Sequence, residues 1–478
     1  MTTSTTQVPT AAPPTRARWW VLIAMCLAML LLQMDNMVLN VALPTLAADL
    51  DASNQQLQLM LTAYMVPFAG LLLLAGSLSD RFGRKRLLII GLLLFAAASA
   101  AGAWVDSAEL LIAARFVMGL GGALMMPSTM SILIVYFPDE QERRKAMSSF
   151  AVMSVLGLVG GPVVGGLLLE HFWWGSIFLL NVPLAALALA AALFLLTESR
   201  GPVGEFDPVG ALLSVIWTGC LVWAIIELPR GFTTPVRLVL LAGLVALVLF
   251  LVWESVIKHP MVPLSLFRNR DFSGSCFAIV LVMFTFGGFL LVLTQYLQSV
   301  LGYRPAQAAI SLLPLVVAML LVQPIATSLG ARIGQRGVLS LGLVIVAAAF
   351  ALLLTVGVAS SYVALAPAFV GFGVGAGMAQ PAAMTLLTGA IPADQAGVGS
   401  ALNDTMLQTG AALGVACLGS LLARGMRGHD SGAGLARQAF VDAMHQTFTV
   451  SVAVVLLGVV IAMLVIRPRR ATDVPRSE

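Results

Sequence analysis

Apolar runs of 18 residues or more recur along nearly the whole chain, and they decide most of what it can fold into. Each run can cross a hydrocarbon core of about 30 Å as a helix. Lipid offers the backbone no hydrogen-bond partners, so helices are the form these runs must take. Read against charged and Gly/Pro breaks, spans are predicted near 19–43, 56–78, 87–105, 109–131, 147–169, 176–196, 209–228 and 236–256, then 274–297, 307–328, 338–357, 362–387, 397–422 and 446–466. The fold class is an all-α membrane protein with about fourteen transmembrane helices. A hydrophobic share of 59%, a charged share of 10% and a mean hydropathy of +0.98 all point the same way. The first run follows MTTSTTQVPTAAPPTRAR, exceeds a signal-peptide core and lacks a clear small-residue cleavage site, so a retained first span is expected.

The basic residues check that count. An even number of spans puts both termini on one side, and nineteen of the 26 Lys and Arg then gather there, including Arg81, Arg84, Lys85, Arg86, Arg143 and Lys145. The other side holds Arg230, Arg237, Arg304, Arg424, Arg427 and Arg437, and Arg115 lies inside a span. The positive-inside rule makes the richer side, with both termini, cytoplasmic. The formal charge of +4 is therefore a topology signal, and no nucleic-acid partner is expected. Cys26, Cys220, Cys276 and Cys417 stand singly in apolar runs, which indicates neither a disulfide framework nor a zinc site. His171, His259, His429 and His445 fall at predicted helix ends or in loops, and no HExxH or phosphate-binding glycine loop occurs. No metal, no cofactor and no catalytic residue is expected.

LSDRFGRKR at 78–86 and LGARIGQRG at 329–337 share Leu, Arg, Gly and a basic residue at equal offsets, following spans two and ten. Basic glycine-containing turns are common between membrane helices, so the echo alone is weak. Its placement suits two six-helix halves with a two-helix insert between them, a recurring transporter plan. The expected division is a cytoplasmic tail 1–18, an N-terminal bundle 19–200, an insert 201–258, a C-terminal bundle 259–466 and a cytoplasmic tail 467–478.

Three strings carry a family resemblance. GSLSDRFGRKR at 76–86 is similar to motif A of the major facilitator superfamily at Gly76, Asp80, Arg81, Gly83, Arg84 and Lys85. Gly76 and Gly83 permit close approach and a tight turn, and Asp80 can cap a helix N-terminus. In that superfamily the turn latches the two halves in one conformation. LIAARFVMGLGGA at 111–123 resembles motif B and sets Arg115 in the membrane, where a lone charge costs a few kcal/mol, on the order of 3 or more, unless paired or hydrated. GLVGGPVVGGLL at 157–168 resembles motif C, the antiporter signature, through Gly157, Gly161, Pro162, Gly165 and Gly166. Its glycines also make a small-residue packing seam, and its proline permits a kink. WGSIFLLNVP, LFRNRDF, QYLQSVLGY and LLP extend the resemblance to the fourteen-helix drug/proton antiporter branch over nearly the whole chain. Two departures stand out. Gly175-Ser176 replaces the Arg-Trp of many members, and span ten lacks the carboxylate of members that export dications.

Asp35 lies in LLQMDNMVLNVALP, about 24 Å along span one at 1.5 Å per residue, a depth comparable with that of Arg115. The two can meet across the bundle. Desolvation and a neighbouring arginine act oppositely on a carboxylate's proton, which makes proton affinity depend on conformation. Each inward proton then yields about 2.3 kcal/mol per 100 mV, enough for more than a tenfold substrate gradient. A structural bond from Asp35 to Asn36, Asn40 or a neighbouring helix is the alternative. The resemblance implies coupling, since MDNMVLNVALP is similar to the branch's first-helix motif. Asp404, in ALNDTMLQTG, is the second deep carboxylate, for a proton, for substrate or for structure. Glu227 and Glu254 are expected to be interfacial. Met34, Tyr64, Met118, Met126, Phe284, Phe286, Phe289, Gln295, Gln323, Gln380 and Asn403 offer soft, aromatic or amide surface to substrate, though each also suits plain packing.

The resemblance thus implies a major facilitator fold and a secondary active transporter rather than an enzyme. It would export lipophilic or monocationic drugs, dyes or antiseptics across a bacterial cytoplasmic membrane in exchange for protons, as a monomer among membrane lipids. A dedicated natural-product self-resistance exporter shares that mechanism. A proton-coupled uptake symporter would have less reason to carry GGPVVGG. A membrane-embedded enzyme or lipid-handling protein would need clustered catalytic groups, which the spans lack.

Overall fold

The computed structural model describes residues 15–200, 207–257, 260, 264–391, 396–426 and 433–467. The outer parts of both tails, the 201–206 start of the insert, the boundary at Lys258 and His259, and Arg427 and His429 lie outside them. Fifteen α-helices follow one another with no strand among the described residues. They are α1 (Thr15–Asp49), α2 (Asn54–Phe82), α3 (Arg84–Gly102), α4 (Ala108–Tyr136), α5 (Glu140–His171), the short α6 (Ser176–Leu179) and α7 (Asn181–Leu195). The pair α8 (Pro208–Glu227) and α9 (Thr234–Val256) comes next. Then follow α10 (Arg270–Gln295), α11 (Pro305–Ser311), α12 (Leu313–Leu353), α13 (Tyr362–Gly389), α14 (Ala396–Gly425) and α15 (Ala433–Val465).

By length and hydropathy, eleven of the described helical segments can cross a membrane, or twelve when the bent Asn54–Phe82 counts as one span. The expected fourteen is not reached on that count. Pro305–Leu353 passes as a single segment, although Gly334 breaks it with φ 78°, and α5 is not among those that pass. Large exposed apolar side chains such as Phe194, Leu212 and Val363 coat the outside, as a lipid-facing surface requires. Trp20 and Trp253 mark the end that carries the 78–86 turn, and Trp104, Phe172 and Phe232 mark the opposite end.

Two hydrophobic cores organise the interior. One draws mainly on α1 to α7 and the other on α10 to α15. The hairpin α8/α9 packs on α2 and α14, with Val215 of α8 seated against Gly70. Asp207 caps α8 by accepting from Gly210 N at 2.8 Å and also accepts from Trp253 Nε1 of α9 at 2.8 Å. Glu254 stands in the same packed corner near the end of α9, buried because the helix turns it towards Gly210. Glu227 is paired with Arg230 at 3.0 Å near the membrane edge.

The echo between 78–86 and 329–337 reappears in the backbone. Gly83 and Gly334 occupy equivalent places and both take positive φ, 114° and 78°, a region open to glycine. Further on, Gly121 of α4 lies against the Gly91 carbonyl of α3, and Gly375 of α13 lies against the Gly342 carbonyl of α12. A Cβ at Gly121 or Gly375 would stand 2.8 or 2.6 Å from those oxygens, so glycine at each crossing lets the helices pack in contact. The same crossing is thus built twice.

Candidate functional site

Asp35 sits midway along α1 and is fully buried. Arg115, on α4, reaches it across the bundle: Nη1 donates to Asp35 Oδ2 at 2.5 Å, and Nε donates to the Met60 carbonyl of α2 at 3.2 Å. Nη2 has no hydrogen-bond partner, but the guanidinium lies 4.5 Å from the centroid of the Tyr64 ring, whose face attracts a cation. The depth match read from the chain is therefore a contact. A pair this enclosed survives because each charge removes the other's desolvation cost, and either one alone would be strongly unfavourable. Asn36 and Asn40 do not bond Asp35; Asn40 turns back to the carbonyls of Asn36 and Met37. A third partner was missed in the sequence. Asn181, the first residue of α7, donates from Nδ2 to Asp35 Oδ1 at 2.8 Å. Its only trace in the sequence was its place in WGSIFLLNVP.

Motif C packs against the helix that carries Asp35. Gly157 faces Gln33 and Leu30, Gly161 faces Met34 and Met37, and Gly165 faces Val38, so α1 and α5 approach closely along one seam. Gly166 points elsewhere, onto Ala306 at the start of α11 in the other half. Helix α5 continues through Pro162, which lines a narrow apolar crevice with Met37, Phe286 and Leu290.

Motif A is tied into its own half. Arg84 bonds Asp80 at 2.8 Å, Lys85 Nζ caps the end of α7 through the Leu193 and Leu196 carbonyls at 2.9 and 2.7 Å, and Arg86 lies 3.6 Å from Glu198. Arg81 rests over the Phe82 ring. Asp80 is not a helix cap: it lies in the last turns of α2, and α3 begins at Gly83 with no side-chain cap. Only Gly83 needs its glycine for backbone conformation, for Gly76 is helical with ordinary contact to Pro127. Helix α7 thus touches the buried ion pair at one end and this turn at the other.

The two halves meet at the middle and at the end remote from that turn. Gln298 Nε2 donates to the Val41 carbonyl at 2.9 Å, Ser420 Oγ donates to Gln58 Oε1 at 3.4 Å, and Thr405 Oγ1 reaches the Ala69 carbonyl at 3.4 Å. Beside these bonds a cavity of about 380 Å³ opens between the halves, lined by Asn54, Gln295, Ser299, Arg437 and Phe440 among others. Asp404 lies on α14 next to the Thr405 contact, partly exposed and bonded by the Asn403 amide at 3.1 Å. It is far along the chain from the Asp35 pair and takes no part in it.

The expected substrate-facing residues scatter. Tyr64 and Met118 are enclosed around Arg115, and Met34 is buried in the α1/α5 seam. Phe289 is fully buried, stacked on Phe372 at 4.0 Å with Phe350 and Phe369 edge-on. Phe286 borders the crevice and Gln295 the cavity. Met126, Phe284 and Gln380 are half-buried, Asn403 is buried, and Gln323 is exposed. Gly175 has its backbone against the Ala103 carbonyl and the Trp173 ring, leaving no room for a side chain. No cluster of three or more His, Cys, Asp or Glu that could hold a metal occurs among the described residues.

Two pseudo-repeated helical halves, one of which seals an ion pair in its interior, define a membrane carrier. The chain belongs to the Major Facilitator Superfamily, whose model matches residues 25–415 and 275–478. It is 35% identical to the multidrug efflux pump LfrA of Mycolicibacterium smegmatis over 88% of this chain and 82% of that one. The tetracenomycin C resistance and export protein of Streptomyces glaucescens is 32% identical over 87% of this chain and 78% of its own. The methyl viologen resistance protein SmvA of Salmonella typhimurium is 32% identical over 85% and 83%. In fold, the chain matches a bacterial homologue of the lysosomal transporter Spinster, solved inward-facing and unoccupied. The TM-score is 0.69 at 17% identity, covering 95% of this chain and 98% of that one.

Proposed function

We propose that the protein is a proton-coupled antiporter that exports lipophilic or monocationic drugs, dyes or antiseptics across a bacterial cytoplasmic membrane by alternating access. The observation that carries this reading is the Asp35–Arg115 pair, sealed from water within one half. Such a pair is favourable only while both partners are charged. A proton on Asp35 frees Arg115, so the two protonation states prefer different packings, and a gradient of protons can drive the exchange between them. The two six-helix bundles are the bodies that rock, the α8/α9 hairpin rides beside them, and the motif A turn is the latch. The end rich in basic residues faces the cytoplasm, with both termini. Among the described residues, hydrogen bonds between the halves hold the middle and the far end together. Asp404, beside the contact between halves, is a second titratable position on the route. The carrier works as a monomer.

LfrA, named for multidrug efflux, supports the drug class, and SmvA, named for resistance to methyl viologen, a dication, extends the support to organic cations in general. A dedicated exporter of one antibiotic is the second reading, favoured by the tetracenomycin C relative and by the puromycin resistance protein of Streptomyces alboniger, 32% identical over 95% of this chain. The test is ethidium movement in everted vesicles with an imposed pH gradient. Asp35→Asn is expected to abolish gradient-driven export while the protein remains folded in detergent, and Asp404→Asn to weaken it. Full transport by Asp35→Asn overturns the coupling, and ethidium movement in the opposite direction replaces the antiporter with a symporter.

A further inference from the structure

Asp35 is held from two sides, and the second holder is an uncharged amide. Arg115 occupies Oδ2 and Asn181 Nδ2 occupies Oδ1. The orientation of that amide is set by its neighbours. Ser99 Oγ of α3 donates at 2.9 Å to the Phe178 carbonyl, which can only accept. Ser99 therefore has only lone pairs left for Asn181, 3.0 Å away, so Nδ2 and not Oδ1 must face it. The other hydrogen of the same Nδ2 points at Asp35. Asp35 and Ser99 are fully buried and Asn181 is 1% exposed, so bulk water does not compete for these bonds. Around the carboxylate, α4 supplies Arg115, α2 supplies the Tyr64 ring over that arginine, α7 and α3 supply Asn181 and Ser99, and α5 presents its glycine seam to α1.

We propose that Asn181 is a positioning residue of the proton site: it keeps Asp35 Oδ1 as a permanent acceptor and so directs the incoming proton to Oδ2, the oxygen bound by Arg115. In the protonated acid, Oδ1 is the carbonyl oxygen and still accepts from Asn181, while Oδ2 becomes the hydroxyl. The neutral hydroxyl oxygen is a much weaker acceptor for the guanidinium than the carboxylate was, so the hold on Arg115 loosens as the proton arrives. Proton uptake and release of Arg115 become one event. With the amide donor gone, Oδ1 is open to the proton, and Arg115 can remain on Oδ2 throughout, which uncouples the two. Ser99 matters through Asn181, because it stops the amide from turning its oxygen towards the carboxylate. The inference rests on Asp35 being the proton site, and its test separates the two claims.

The purified protein in proteoliposomes is compared as wild type, Asp35→Asn, Asn181→Leu and Ser99→Ala. Proton entry is followed with an internal pH dye together with ethidium movement, and protonated carboxyl groups by infrared difference spectra. The wild type is expected to show a carboxylic C=O band that Asp35→Asn removes. In Asn181→Leu that band moves to higher wavenumber, because its oxygen has lost a donor. Ethidium exported per proton falls by about tenfold, the equivalent of one hydrogen bond to a charged group. Ser99→Ala, which keeps the amide but lets it turn, gives an intermediate ratio and carries the test if Asn181→Leu does not fold. An unchanged band and an unchanged ratio in the folded variants overturn the role of Asn181. A band and an exchange that survive Asp35→Asn overturn the proton site itself.

Discussion

The N-terminal and C-terminal halves share a backbone plan but enclose opposite chemistry. Seven residues after the start of α4 stands Arg115, and seven residues after the start of α13 stands Phe369. Arg115 meets a carboxylate on α1, the first helix of its half; Phe369 meets Phe289 on α10, with ring centroids 5.9 Å apart. The glycine crossings around them are alike, Gly121 on Gly91 and Gly375 on Gly342. Where one half encloses an ion pair, the other has at the equivalent place a dry aromatic stack of Phe289, Phe350, Phe369 and Phe372. The repeat therefore preserved how the helices cross and not what they hold.

Three experiments test this contrast, starting with the largest effect. Arg115→Leu leaves the Asp35 carboxylate buried without its cation and is expected to cost about 3–5 kcal/mol, whereas Asp35→Leu combined with Arg115→Leu regains most of that loss. Thermal unfolding in detergent measures both, and a double variant no better than the single one would mean that the pair is not what stabilises this core. Next come the two turn glycines. Gly83→Ala forces a side chain into positive φ and against the Glu198 carboxylate, 2.5 Å from the new Cβ, and Gly334→Ala likewise forces one into positive φ. The strain costs about 1–3 kcal/mol at either site, and the Glu198 contact is expected to add to it at Gly83. Equal losses would show that Glu198 yields freely. The smallest effect belongs to the aromatic half: Phe372→Leu keeps an apolar side chain but loses the stacked ring, costing about 1 kcal/mol. Proton-driven ethidium export should persist in that variant, and its loss would put the aromatic core in the coupling.

Much of the fold was legible because lipid removes choices. Long apolar runs must be helices, and the asymmetry of Arg and Lys orients them without reference to any contact. The break at Gly334 was visible as the partner of Gly83 in the two echoing strings. The site was legible where charge stood out against an apolar background, as Asp35 and Arg115 did. It was illegible where a residue is ordinary in its own stretch: Asn181 sits in WGSIFLLNVP like any helix-end asparagine, and Ser99 in AAASAAG like any small packing residue. Which residues of the expected substrate surface line a space was illegible for a similar reason. Met118 and Phe289 have the same composition whether they face a cavity or a core, and the side they face depends on the rotation of the helix among its neighbours.

By itself, the sequence determined a helical membrane protein with a repeated turn, two deep carboxylates and one deep arginine, because hydropathy and charge are local properties that a bilayer reads residue by residue. Only the tertiary structure decided that Asp35, Arg115, Asn181 and Ser99 form one network, that motif C seats the helix bearing Asp35, and that Glu254 is buried against the insert's other helix. Those outcomes depend on which faces of distant helices meet. In lipid, close packing and hydrogen bonding choose those faces, and both are properties of pairs that no single stretch of chain contains.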